Sequence, residues 1–236
     1  MKIIRNEKLI ERNGKIGRYT SLAALLCLAG GMILSFNRPD LLTWSLIALL
    51  AGFTLTQISM FFGNRFGRKP RPDEQLDAAL KGIPGDYTLF HYSTPVSHLL
   101  VGPAGLWILL PFNLKGKVTY HKNRWRSSGG GFLQGYMRLF GQETIGRPDV
   151  EAKSEAAALE KYFKKKMDEG ETPAPTYAVL VFLDPDIEIE AEGAPAPAIP
   201  AKKLKEFIRQ MAKDHPLPPL ELEKLKSLLA KDRTYA

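Results

Sequence analysis

The residues of this chain that could do chemistry are few, and their types exclude more than they permit. Cys27 is the only cysteine, which removes an intrachain disulfide, zinc fingers and thiol redox pairs. His91 has no second histidine or carboxylate at ligand spacing along the chain, so it is expected to face solvent beside a strand. No Gly-x-Ser-x-Gly elbow or Cys-His constellation occurs, and the glycine-rich stretch 127–131 lacks the Lys-Ser/Thr of a phosphate loop. The densest carboxylate array is Asp184, Asp186, Glu188, Glu190 and Glu192, where every second residue is acidic. Alternation would put all of them on one strand face. Such a face could hold Ca²⁺ or Mg²⁺ through oxygen ligands. The expected role is the plainer one, the wet side of an edge strand whose charge discourages sheet-to-sheet association. Glu74 falls in the first turn of an expected helix with Asp73 as its cap, a place where a solvated carboxylate suits the helix dipole.

The elements that must position these residues are organised around 96–118. Two apolar runs, 96–101 and 106–110, flank Gly102-Pro103-Ala104-Gly105, a hairpin signal in which proline presets the turn. The second run has no polar alternation, which predicts a strand buried on both faces, ended or kinked by Pro111. Around it the patterns predict a helix at 73–81, strands at 87–92 and 117–125 (the latter ending at Asn123), a flexible break at 127–131, and an amphipathic stretch at 132–140. That stretch either packs on the core or dips into a bilayer. A helix at 148–167, an exit loop at 170–175, a buried strand at 177–183, a Pro/Ala linker at 193–200 and helices at 202–213 and 220–231 complete the series. Their order implies an α/β fold, a mixed β-sheet flanked by helices.

The central stretch resembles the nuclease-related domain (NERD) family, whose core motif runs roughly Ile-Asp-His, aliphatics, Gly-Pro-x-Gly, aliphatics, Glu-x-Lys and a Lys/Arg-Gly pair. His98, Leu99 to Val101, Gly102, Pro103, Gly105, Asn113, Lys115 and Gly116 stand where that pattern wants them. The resemblance covers roughly 73–213 and implies a restriction-endonuclease-like sheet. Enzymes of that superfamily cut phosphodiesters with carboxylate-bound Mg²⁺ and a lysine near the attacking water. Here the aligned aspartate is Ser97, the glutamate Leu110 and the lysine Phe112, while Glu74 matches a glutamate of the first helix. Leu110 offers Mg²⁺ no oxygen and Phe112 no charge. The resemblance therefore implies a vestigial site at Glu74, Ser97, Leu110 and Phe112, with no bound cofactor or metal. Binding would fall to His98, Lys115 and Lys117, and the partner would be a protein or DNA/RNA. The alternative is a rearranged Mg²⁺ site using Glu151 or Glu155 on the following helix. In that helix Arg147 and Glu151 replace the Asn and Gln of the family's Asn-Pro-x-x-Gln.

The apolar residues are concentrated near the start. Segments 19–36 and 41–62 contain no Asp, Glu, Lys or Arg, and about 20 apolar residues suffice to cross a bilayer. They are expected to form a transmembrane hairpin joined by 37–40, making the lipid bilayer the first partner. Residues 1–18 read as a basic tail and 63–72 as a basic linker, whereas the connecting turn has only Arg38. That bias predicts a cell-membrane protein with both termini cytoplasmic. A cleaved signal peptide is the rival reading, and it lacks an Ala-x-Ala-like site. Much of the formal net charge of +8 thus belongs to the membrane flanks. The remaining chain divides into a NERD-like domain at 73–214 and a C-terminal helix at 215–236. Cys27-x-x-x-Gly31 and Ala48-x-x-x-Gly52 hint at helix contacts, within the hairpin or in a homo-oligomer.

Overall fold

The computed structural model describes residues 1–129, 145–167 and 174–231. The stretch 132–140 and most of the exit loop 170–175 lie outside them. The chain divides into two units, one formed by Met1–Asn6 with Pro72–Ala236 and the other by Glu7–Arg71.

In the first unit the strands are β1 (Lys2–Arg5), β2 (Thr88–His91), β3 (His98–Gly102), β4 (Gly105–Phe112), β5 (Lys117–His121), β6 (Arg124–Ser128), β7 (Thr176–Phe182), β8 (Glu188–Glu190) and β9 (Ala198–Pro200). A six-stranded mixed sheet has the order β1-β2-β3-β4-β7-β9, and a three-stranded sheet has the order β6-β5-β8. The apolar run of β4 is central, as its lack of alternation requires, with Leu106, Ile108 and Leu109 fully buried. Pro111 does not end it. Phe112 O accepts from Leu183 N–H at 2.9 Å, so Phe112 faces β7 and Pro111 faces the other edge. The β3 ladder has already stopped there at Leu99–Ile108, so no ladder donor is lost.

Helices α3 (Pro72–Leu80), α4 (Pro148–Lys164), α5 (Ala201–Asp214) and α6 (Pro219–Lys231) cover the sheet. Alternation sorts the strand residues into two cores. Leu89, Leu100, Trp107, Leu109, Val179 and Val181 pack with Leu76 and Leu80 of α3 and with Leu204 and Ile208 of α5. Phe90, Leu99, Ile108, Leu110, Leu180 and Phe182 pack with Leu159 and Phe163 of α4 and Leu225 of α6. The expected α/β class with a mixed sheet between helices is what the structure has. The C-terminal helix α6 contributes Leu222, Leu225 and Leu229 to that second core and falls in the first unit.

Four local expectations are corrected. Residues 2–5 are not a tail but strand β1, parallel to β2, too short to show a period of its own. The strand expected over 117–125 is a hairpin that turns at Lys122-Asn123, both at positive φ (50° and 57°), and residues 124–128, which run into the expected break at 127–131, are β6. A type I′ turn needs two left-handed residues, and Lys-Asn is a weak signal beside Asn-Gly. The linker 193–200 ends in β9, which pairs with β7. Finally, α3 begins at Pro72, so Asp73 lies within its first turn rather than ahead of it. The acidic row does provide an edge strand, β8, although only Glu188 to Glu190 are in it.

One close approach depends on glycine. A Cβ at Gly102 would lie 2.0 Å from Cδ1 of the buried Tyr87 ring. Gly102→Ala is therefore expected to cost about 2 kcal/mol by overpacking, read as a lower denaturation midpoint of the α/β unit. An unchanged midpoint would mean that the ring does not rest on this strand.

The second unit is an antiparallel hairpin of α1 (Glu7–Asn37) and α2 (Leu42–Phe62), joined through a 3₁₀ turn at Pro39–Leu41. The first helix starts well before the expected span because its basic segment is itself helical, with Glu11 and Lys15 paired at 2.7 Å. Gly31 meets Ala48 and Leu49, and Gly52 meets Leu28. The small-residue spacing thus serves contact within the hairpin. Ser45 Oγ donates to Gly31 O at 2.7 Å and Ser59 Oγ to Gly17 O at 3.0 Å. Two helices are long and apolar enough to cross a membrane, and only 11% of each apolar window is buried. Leu22, Leu25, Leu26, Leu46 and Leu50 are more than half exposed.

Candidate functional site

The largest buried concentration of ionisable side chains lies on the α3 face of the six-stranded sheet. Arg5 ends β1, His91 ends β2 and His98 begins β3. The registers Arg5↔His91 and His91↔His98 set these three side by side across the strands. On α3, Asp73 and Asp77 are one turn apart and so project in the same direction. Arg5 Nε lies 3.2 Å from Asp73 Oδ2, and its guanidinium also forms a close ion pair with Asp77. Asp77 Oδ1 is 3.0 Å from His91 Nε2, and His91 Nδ1 is 2.8 Å from His98 Nδ1. Tyr92, at φ 54°, sets its ring edge-on to His98 with centroids 4.8 Å apart. Asp73 and His91 are fully buried and His98 is 2% exposed.

Hydrogen-bond complementarity fixes the protons. A carboxylate only accepts, so His91 donates to Asp77 through Nε2–H. Two Nδ1 atoms at this distance share one hydrogen. In the neutral pair His91 Nδ1 therefore accepts and His98 Nδ1–H donates. Both rings are buried, and the cluster ties β1 and α3 to the sheet.

The expectation that His91 faces solvent is therefore corrected. Its partners come from a strand seven residues on and from a helix fourteen residues back. Spacing along the chain could not show either, although the i, i+4 aspartates and the shared strand face of Leu89 and His91 were legible signals.

The other expected site residues do not converge. Glu74 is half-buried on α3, on one face of the sheet, whereas Leu110 lies in the core on the opposite face. Phe112 packs beside that second core and stacks on Phe182 with centroids 5.6 Å apart. Ser97 is half-buried, and its carbonyl accepts from Tyr92 N–H at 2.8 Å. Glu151 and Glu155 stand on α4, which covers the face of Leu110. Among the described residues, no three His, Cys, Asp or Glu side chains converge closely enough to hold a metal ion. His98 belongs to the six-stranded sheet, Lys117 to the three-stranded one, and Lys115 is exposed between β4 and β5. Lys117 is paired with Glu190, whose hydrogen bond and charge hold its ammonium pKa above the usual lysine range. Comparison with protein-family models, characterised proteins and solved structures yields no match.

Proposed function

We propose that this chain is a membrane-anchored cytoplasmic domain of NERD-like, restriction-endonuclease-like ancestry that has lost metal-dependent cleavage and acts by binding a protein or nucleic acid. The observation that carries the reading is the filling of the vestigial site. Leu110 is 3% exposed within a continuous apolar core and Phe112 stacks beside it, where a hydrolytic Mg²⁺ would need oxygen ligands and water. Two apolar helices support the anchor. The excess of basic residues flanking them over the lone Arg38 of their turn supports cytoplasmic ends.

The test is direct. The purified full chain, in detergent with Mg²⁺ or Mn²⁺, is expected to leave single- and double-stranded DNA and RNA uncut. Cleavage abolished by Glu151→Ala or Glu155→Ala would replace this reading with the second one, a membrane-bound nuclease using acids of α4. That reading draws on the placement of α4 over the face of Leu110.

A further inference from the structure

The three-stranded sheet carries a cationic edge that the binding reading above does not use. Cross-strand register puts Lys117, Thr119 and His121 of β5 on the same face as Ser128, Arg126 and Arg124 of β6. The opposite face turns inward, with Val118 fully buried, Trp125 8% exposed and the Tyr120 and Trp125 rings 5.0 Å apart. From residue 113 through 128 there is no Asp or Glu. The acids of this sheet lie on its other edge, where Glu190 takes Lys117 and Glu188 stands beside it. Lys122, Arg124 and Arg126 are exposed at the turn and along β6. Among the described residues these three cations have no ion-pair partner, in contrast to Lys117, Lys164 and Lys226.

We propose that the Lys122, Arg124 and Arg126 edge is a contact surface for the anionic headgroups of a phospholipid bilayer. Three observations select this occupant. The outward face offers charge and hydroxyls but no Phe, Tyr or Trp ring, because Tyr120 and Trp125 point inward, so single-stranded bases have only the His121 imidazole to stack on. Lys122, Arg124 and Arg126 lie along one exposed edge strand and its turn, a row that a flat anionic surface can meet at several points at once. The chain also carries two helices of membrane-spanning length, which hold any bilayer at high effective concentration, so weak headgroup contacts suffice. Basic side chains close to an anionic surface each favour the bound state by about fivefold. The inference rests on the anchoring reading above, and its test separates the two.

The full chain with Cys27→Ser and Thr119→Cys, labelled at position 119 with an environment-sensitive fluorophore, is inserted into nanodiscs of phosphatidylcholine with or without phosphatidylserine. Resistance of the chain to alkaline extraction reports anchoring alone. Nitroxides on the lipid headgroups report contact of the label. Contact quenching is expected in phosphatidylserine discs, weak in phosphatidylcholine discs, and lost at high salt. Arg124→Gln with Arg126→Gln should lower the bound-to-free ratio roughly 25-fold, while Arg124→Lys with Arg126→Lys retains it, which separates charge loss from misfolding. Equal quenching in both lipids, or none in an anchored chain, would overturn the proposal. So would a label that is shielded from an aqueous quencher only when a short DNA duplex is added, which would make nucleic acid the occupant.

Discussion

Leu110→Glu, which introduces the glutamate that the NERD resemblance would align at this position, is expected to unfold the α/β unit rather than create a nuclease. Leu110 sits among Leu99, Ile108, Leu180 and Phe182. Removing its buried hydrocarbon forfeits about 2 kcal/mol, and a carboxyl group without hydrogen-bond partners adds roughly 2–7 kcal/mol even when neutral. Together these approach the entire stability of an ordinary domain, about 5–15 kcal/mol. The pH dependence has a definite sign. Burial raises the pKa of the introduced carboxyl above its unfolded value of about 4.3. The folded variant then holds the extra proton, so its deficit is smallest below that pH and grows as pH rises toward the folded pKa. Leu110→Ala, by contrast, should cost about 3 kcal/mol at every pH. Near-UV circular dichroism of the full chain during denaturant unfolding measures both. A Leu110→Glu chain with the parent midpoint and Mg²⁺-dependent cleavage would refute the filled-core reading of the site.

The second large effect concerns Asp77, a side chain that engages both Arg5 and His91. Its side chain is 15% exposed. Removing one member of a buried pair leaves the other charge poorly compensated, at a cost of about 3 kcal/mol. Asp77→Ala should therefore destabilise the unit by that amount, and Asp77→Asn by less, since an amide oxygen still accepts from His91 Nε2–H. The damage should be local first. β1 is an edge strand held by four residues of parallel ladder, with Lys2 N–H on Tyr87 O and Asn6 N–H on His91 O. Its amides should lose protection against hydrogen exchange before those of β3 and β4. If Asp77→Ala left the exchange of residues 2–6 unaltered, the cluster would not be what fastens this strand.

The two histidines illustrate how little of such a cluster is visible in one dimension. His98 stands in a motif and His91 carries no local signal that separates it from a solvent-facing residue, yet each is the other's hydrogen-bond partner. The reason is register. Whether residue 91 stands opposite residue 98 depends on the length and course of the connection between β2 and β3, and that leaves no periodic trace. The same holds for β1 and β9, four- and three-residue strands that exist because a neighbour supplies the ladder. In the β5–β6 hairpin the turn residues are Lys122 and Asn123 rather than the glycine-bearing pair that advertises a type I′ turn. Where local signals were strong the reading was close. Proline and glycine marked the β3–β4 turn, apolar continuity marked β4 and β7, and helical period marked α4, α5 and α6.

By itself the sequence determined the α/β class, the central hairpin and the two long apolar helices. Each of these follows from the period and composition of contiguous residues, which act through backbone geometry and transfer from water. Only the tertiary structure decided that Glu74 and Leu110 lie on opposite faces of the sheet, and that Arg5, Asp73, Asp77, His91 and His98 meet. It alone also decided that, among the described residues, the cations of β6 have no ion-pair partner while Lys117 is taken by Glu190. Those relations depend on strand register and on the face each helix covers. Both are set by cooperative packing of segments far apart in the chain, so no local window contains them.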